Sequence, residues 1–288
     1  MNKHQKPKKK TVFLSHLSIL LYGTAALIYQ IVWQRIFSAY YGVSFGSTSI
    51  VLASYMFGLG AGSLLGAYFS KKGVSGKRGF ILAQLFLSVF VLVTLSFLPS
   101  LGALISSSTP LYGGVFIFLF LSIPTILIGA AFPFGVSAIK ESSFHDSISR
   151  FYFLNTIGSG FGILLSSYWI LSYMDMNFGL ISASSINVIS ALLALRYLPR
   201  QTGIRSNSVY KQKASHSVSI LLLVTLSGFI SLGLEMVYIR FLSVILKGSP
   251  YVFSTVLFVF ISALGIGGYY TLRSSRLRSD RNTYFLLQ

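Results

Sequence analysis

Long apolar runs, separated by short clusters of charged or turn residues, set the pattern of this chain. Eight runs can be bounded, near 13–37, 47–69, 80–104, 112–139, 151–172, 177–197, 217–245 and 251–272. Each is close to or beyond the roughly 20 residues that carry a helix across a bilayer. The pattern predicts an all-α polytopic membrane protein with about eight transmembrane helices. Only the stretch Ser106–Pro110 separates the third and fourth runs. The fourth contains Pro124 and Pro133, which in lipid predict a kink accommodated by neighbouring helices. The first run follows a basic head, Lys3 to Lys10, is longer than a signal-peptide core and lacks a small-residue cleavage site. It is read as a retained helix.

Composition agrees with this picture. Of the 288 residues 53% are apolar and only 10% charged, and the mean hydropathy is +0.73. Soluble domains carry roughly 25% charged residues to face water. This excludes a soluble enzyme, a disordered tail and a secreted disulfide scaffold. The net charge of +18 would point to nucleic acid in a soluble protein. Here its location explains it. Twenty of the 23 Lys and Arg residues fall in five segments on the same side of an eight-span arrangement: the N-terminus, the tail and every second loop. The positive-inside rule places that side, with both termini, in the cytoplasm of a bacterial inner membrane, and a nucleic-acid partner is not needed. The predicted organisation is a basic N-terminus at 1–12, a six-helix membrane repeat at 13–197, a cytoplasmic loop at 198–216, two helices of a second repeat at 217–272 and a basic tail at 273–288. Cysteine is absent and the four histidines, His4, His16, His145 and His216, are scattered. No metal or cofactor is therefore expected.

A shift of 205 residues aligns the first two runs with the last two. Twelve identities link 23–62 to 228–267, among them Gly23/Gly228, Arg35/Arg240, Ser38/Ser243, Gly60/Gly265 and Gly62/Gly267. The copies are six spans apart, so both enter the membrane in the same direction. This is the parallel relation that connects the halves of major facilitator transporters. The expected architecture is an MFS-like parallel repeat whose second half is incomplete, with two spans before Gln288.

Glu235 is the one acid deep in a predicted span. An intramembrane carboxylate is costly unless it is paired or faces a wet cavity. Its spacing from Arg240 puts the two on different faces of one helix, so a partner is expected across the repeat interface, either Arg35 or Arg240. Two readings stand: a cation or proton site at the junction of the halves, or an ion pair that fixes helix packing. Gln30, aligned with Glu235, and nearby Gln34 extend a polar patch or bond neighbouring helices. Gly58, Gly62 and Gly66 recur every four residues, as do Gly158 and Gly162, and are read as small-residue packing faces. The Gly58–Gly62 stretch lacks the preceding strand that a dinucleotide turn requires.

The segments Gly23–Arg35 (GTAALIYQIVWQR), Gly58–Gly66 (GLGAGSLLG), Pro124–Pro133 (PTILIGAAFP) and Arg150–Gly158 (RFYFLNTIG) together resemble the membrane half of bacterial fused transporter–spermidine synthase proteins. The resemblance implies a transporter-like module for small cations or polyamines. Two departures qualify it: Gln30 stands where the family commonly has an acid, and Lys71 where the major facilitator loop motif has an Asp. The C-terminal aminopropyltransferase-like domain of the fused type, with its doubly wound sheet and acidic pocket, is not expected here. The longest loop is too short, and five acids in all could not hold a polyamine in such a pocket. No enzyme activity is expected, since the spans carry no nucleophile–base pair. The expected partners are the lipid bilayer and either a separate synthase-like domain or the missing C-terminal half. The competing function is a non-transporting anchor or scaffold for a separate spermidine synthase-like enzyme.

Overall fold

The computed structural model describes residues 9–41, 45–139, 144–199, 218–249 and 251–274. The basic N-terminus, most of the 198–216 loop and nearly all of the 273–288 tail lie outside the described residues. Among those described, the chain is all α, with eight helices in sequence. They are α1 (Lys9–Tyr41), α2 (Phe45–Lys71), α3 (Gly76–Ser107), α4 (Pro110–Ala138), α5 (Phe144–Leu164), α6 (Met176–Tyr197), α7 (Val218–Ile245) and α8 (Val252–Ser274). Seven are long and apolar enough to cross a membrane. The exception is α5, because Asp146, Arg150 and Asn155 dilute its apolar residues. It begins earlier than the apolar run near 151–172 suggests. It then continues through a six-residue π-helical turn, Leu165–Ile170, and a last turn, Leu171–Tyr173. The continuous rod of 30 residues is about 45 Å long at 1.5 Å per residue, enough to span. This is a multi-pass membrane protein, and the apolar outer faces of its helices imply a lipid bilayer around them.

The connections are short, and each has a local cause. After α2 the amides of Val74 and Gly73 bond back to Phe69 O and Ser70 O at 3.1 and 3.3 Å, with Gly73 at φ +93°. This Schellman stop needs a left-handed residue, and glycine takes that conformation without a Cβ clash. Pro110 opens α4 with two residues between it and the end of α3, at a position where its missing N–H costs nothing. Asp175 caps α6, its carboxylate accepting from Phe178 N at 2.7 Å.

Six helices form one bundle. Helix α1 runs through its centre between α5 and α6, α2 lies along α4, and α3 fills the gap between α4 and α6. Trp33 and Tyr29, stacked at 5.3 Å, and Tyr22, Ile28 and Phe37 are buried on α1. Hydroxyl groups bond across the helix contacts: Thr24 Oγ1 donates to Gly158 O at 3.0 Å and Ser190 Oγ to Ser18 O at 2.7 Å. Buried Lys77 donates to Leu198 O at 2.7 Å and so closes the C-terminal end of α6.

The last two helices stand against this bundle. Helix α8 packs on α5, and α7 rests on α8. A smaller apolar cluster joins them to the bundle through Ile31, Ile163, Ile239, Val252, Phe253, Val256 and Leu257. Half of the most apolar window of α1 is buried, against 11% for α7.

Candidate functional site

Segments that the 205-residue shift aligns come together at one pocket. It lies at the end of α1 away from residue 9 and the corresponding end of α7, with a volume of about 490 Å³. Arg35 and Arg240 both line it, as do Ser38 and Ser243, residues that the 205-residue shift pairs. The same shift pairs Gln34 with Ile239, Ala39 with Val244 and Thr48 with Phe253. These five pairs supply ten of its fourteen lining residues. Residues that the 205-residue shift pairs therefore line one cavity.

Local structure organises the polar wall. Arg35 is half-buried on α1 and Arg240 exposed on α7. Gln34 Nε2 donates to Ser38 Oγ at 3.1 Å and reaches Thr48 Oγ1 at 3.5 Å, tying α1 to the start of α2. Beyond Ser243 the chain turns sharply: Gly248 N bonds to Ser243 O at 2.7 Å, and Lys247 takes a left-handed φ of 50°. That turn delivers Ser249 and the first turn of α8 to the pocket. A smaller cavity of about 20 Å³ adjoins through Gln34 and Arg35, and Ser167 and Tyr251 also line it. Ser167 lies in the π-helical turn of α5, a feature frequent at functional sites. It is 3% exposed and its hydroxyl makes no hydrogen bond. Tyr251 is fixed above, stacked on Tyr168 at 5.4 Å with its hydroxyl 3.2 Å from Ser172 Oγ.

Glu235 and Gln30 lie deeper. They occupy equivalent places on α7 and α1, and each is 5% exposed. Glu235 stands five residues before Arg240, about 7–8 Å further along the helix. Among the described residues, neither its Oε1 nor Gln30 Nε2 has a hydrogen-bond partner. Neither residue lines the pocket.

The glycines occupy helix contacts. A Cβ on Gly62 would stand 2.8 Å from Ala130 N, and one on Gly66 2.5 Å from Ala130 O, both on α4. Gly58 abuts Thr125 of α4, while Gly158 and Gly162 face Leu20 and Thr24 of α1. These positions bring backbones together and face no cavity. Gly23 does the same against Asn155, whose Oδ1 has no hydrogen-bond partner.

A second polar locus has no counterpart in the sequence reading. Midway along the bundle, Asn187 Nδ2 donates to Gln84 O at 3.0 Å and to Ser88 Oγ at 3.3 Å. Tyr29 lies beside Ser88, Ser184 and Asn187, and Tyr55 is buried close by. Among the described residues the buried Tyr55 hydroxyl and Gln84 Oε1 have no hydrogen-bond partner. Isolated polar residues in apolar helices carry no periodic signal, so nothing in the chain marks these as neighbours.

Another cavity, of about 550 Å³, is an apolar groove between α5 and α8, lined by side chains such as Phe161, Phe258 and Ile266 and offering no chemistry. Among the described residues no three His, Asp or Glu side chains stand together as metal ligands. The chain matches no family model and no curated protein.

Proposed function

We propose that this chain is a transporter-like membrane module that passes a small solute along the junction of its two repeat copies. The observation that carries the reading is the pocket itself, a cavity between apolar helices whose lining mixes polar and apolar residues and includes residues that the 205-residue shift pairs. In an apolar environment such a set of polar groups is costly unless it meets water or a ligand. The loop charges orient the pocket toward the outer face, with both termini in the cytoplasm of a bacterial inner membrane. Glu235, buried just beneath, is the group suited to carry a coupling proton or cation. The resemblance to the fused synthase family suggests cations or polyamines as cargo. The chemistry proposed is translocation without aminopropyl transfer. Uptake of labelled solutes, spermidine and phosphate among them, into proteoliposomes of the purified chain tests this. Accumulation above protein-free liposomes supports transport, and none with any of them removes it.

One observation favours a second reading, in which the module docks to a partner. The second copy turns outward the face that the first copy buries. Trp33 is 1% exposed and its equivalent Tyr238 50%; Ile36 is 1% exposed and Phe241 61%. A helix face that packs in one copy and is bare in the other is suited to further helices, on whatever polypeptide they lie. A scaffold for a separate synthase-like enzyme would use that face and would bind its partner without moving solute.

A further inference from the structure

The charge of the junction pocket argues for a different cargo from the one the family resemblance suggests. Its described lining residues contribute two guanidinium groups, four hydroxyl side chains besides the amide of Gln34, and no carboxylate. The first turn of α8 lines it too, through Val252 and Phe253, which adds the positive end of a helix dipole. A polyamine placed there would meet like charge. An anion meets its complement. Guanidinium groups present planar, paired N–H donors that match carboxylate and phosphate oxygens. The simpler role for an arginine near a helix end is to reach lipid headgroups on its own. Three features speak against that role. The two arginines are repeat equivalents, both open on one cavity, and Arg35 also lines the small adjoining cavity. There the buried Ser167 hydroxyl has no partner. Among the described residues nothing receives that hydroxyl.

We propose that Arg35 and Arg240, with Ser38 and Ser243, form a binding site for an oxyanion, a phosphate or carboxylate group, on a solute small enough for a cavity of about 490 Å³, and that Ser167 supports it from the small cavity that shares Arg35. The site deepens the transport reading by naming the class of cargo, but binding itself does not depend on that reading. Symmetry gives it a further property. Each repeat copy supplies one arginine and one serine, so an anion held between them couples the two copies. A bound solute that bridges two halves can bias their relative position.

Equilibrium binding separates this inference from transport. The purified full chain is titrated in detergent with inorganic phosphate, succinate, short-chain phosphatidylglycerol and spermidine at constant ionic strength. Thermal shift and calorimetry provide the readout. Saturable binding of phosphate or succinate is expected, weakened at least tenfold in Arg35→Gln and in Arg240→Gln and weakened less in Arg240→Lys, which keeps the charge but not the paired donors. Ser167→Ala should weaken it less, by about two- to fivefold. If Arg35→Gln fails to fold, the exposed Arg240 supplies the same test. Arginine-dependent binding of the short-chain lipid alone keeps the oxyanion chemistry and makes a headgroup its source. No saturable anion binding, or equal binding by wild type and both glutamine variants, overturns the proposal. So does binding of spermidine that the arginine substitutions leave intact. Anion binding without proteoliposome uptake leaves this site standing and removes the transport reading.

Discussion

Four glycines, identical between the repeat copies, have opposite surroundings, which yields a sharp prediction. In the first copy a Cβ at Gly62 would stand 2.8 Å from Ala130 N and closer still to Ile126 O, whereas ordinary contact begins near 3.4 Å. Helices α2 and α4 would have to part by about 0.6 Å or more, since the opposing atoms are backbone and cannot rotate away. A gap of 0.5–1 Å forfeits roughly a quarter to a half of each neighbouring dispersion contact, and overpacking of this kind costs about 1–3 kcal/mol. For a chain of this size that corresponds to a fall in Tm of about 2–10 °C. At Gly267, the equivalent of Gly62, an added Cβ would meet nothing within 4 Å. The same contrast separates Gly23, against Asn155, from Gly228, which also has nothing within 4 Å. Gly62→Ala and Gly23→Ala should therefore lower Tm in detergent, followed by fluorescence-detected size exclusion after heating. Gly267→Ala and Gly228→Ala should leave it within about 1 °C, as their sites hold no atom to displace. Equal losses at all four positions would refute the packing described for α7 and α8. They would mean that the second copy is buried as the first is.

Glu235→Gln should leave Tm unchanged or raise it, because no hydrogen bond to Oε1 is lost and a buried charge is removed. A fall of the size expected for a broken buried ion pair, about 3–5 kcal/mol, would instead establish a bond to Arg35 or Arg240, and a double variant with the correct Arg→Gln would then recover part of it. Reporter fusions after Lys72, Arg205 and Arg278 should all read cytoplasmic; an external signal at Arg205 would break the eight-span arrangement. Purified protein given decarboxylated S-adenosylmethionine and putrescine should form no spermidine, and turnover above a protein-free blank would overturn the non-enzymatic reading.

The spans were legible because each is an uninterrupted apolar window, and membrane helices leave no other signal as strong. Helix α5 was the least legible, since a helix packed between α1 and α8 can carry Asn155, Thr156 and Arg150 that a lipid-facing helix would not tolerate. Its π-helical turn has no sequence signature, so the placement of Ser167 beside Arg35 could not be foreseen. Lys77 counts in the sequence as a loop charge, whereas in the fold it is buried and bonded to Leu198 O. The repeat already paired Arg35 with Arg240 and Ser38 with Ser243. That both pairs line one cavity follows only from how α7 and α8 settle against α1. The polar group around Gln84 and Asn187 was invisible for the same reason: it is made by three-dimensional proximity across four helices.

If the pocket between the aligned segments lies on the path of a solute, as proposed, locking its two sides together should block that solute. The chain contains no cysteine, so a Ser38→Cys, Ser243→Cys variant carries one thiol on each copy in an otherwise inert background. A short, reducible bifunctional thiol reagent should join the two thiols within one chain in proteoliposomes. Uptake of the solute that the wild type carries should then stop and return on reduction. Failure of the thiols to join would contradict the meeting of the copies at this pocket, and uptake that continues with the thiols joined would take the pocket off the path.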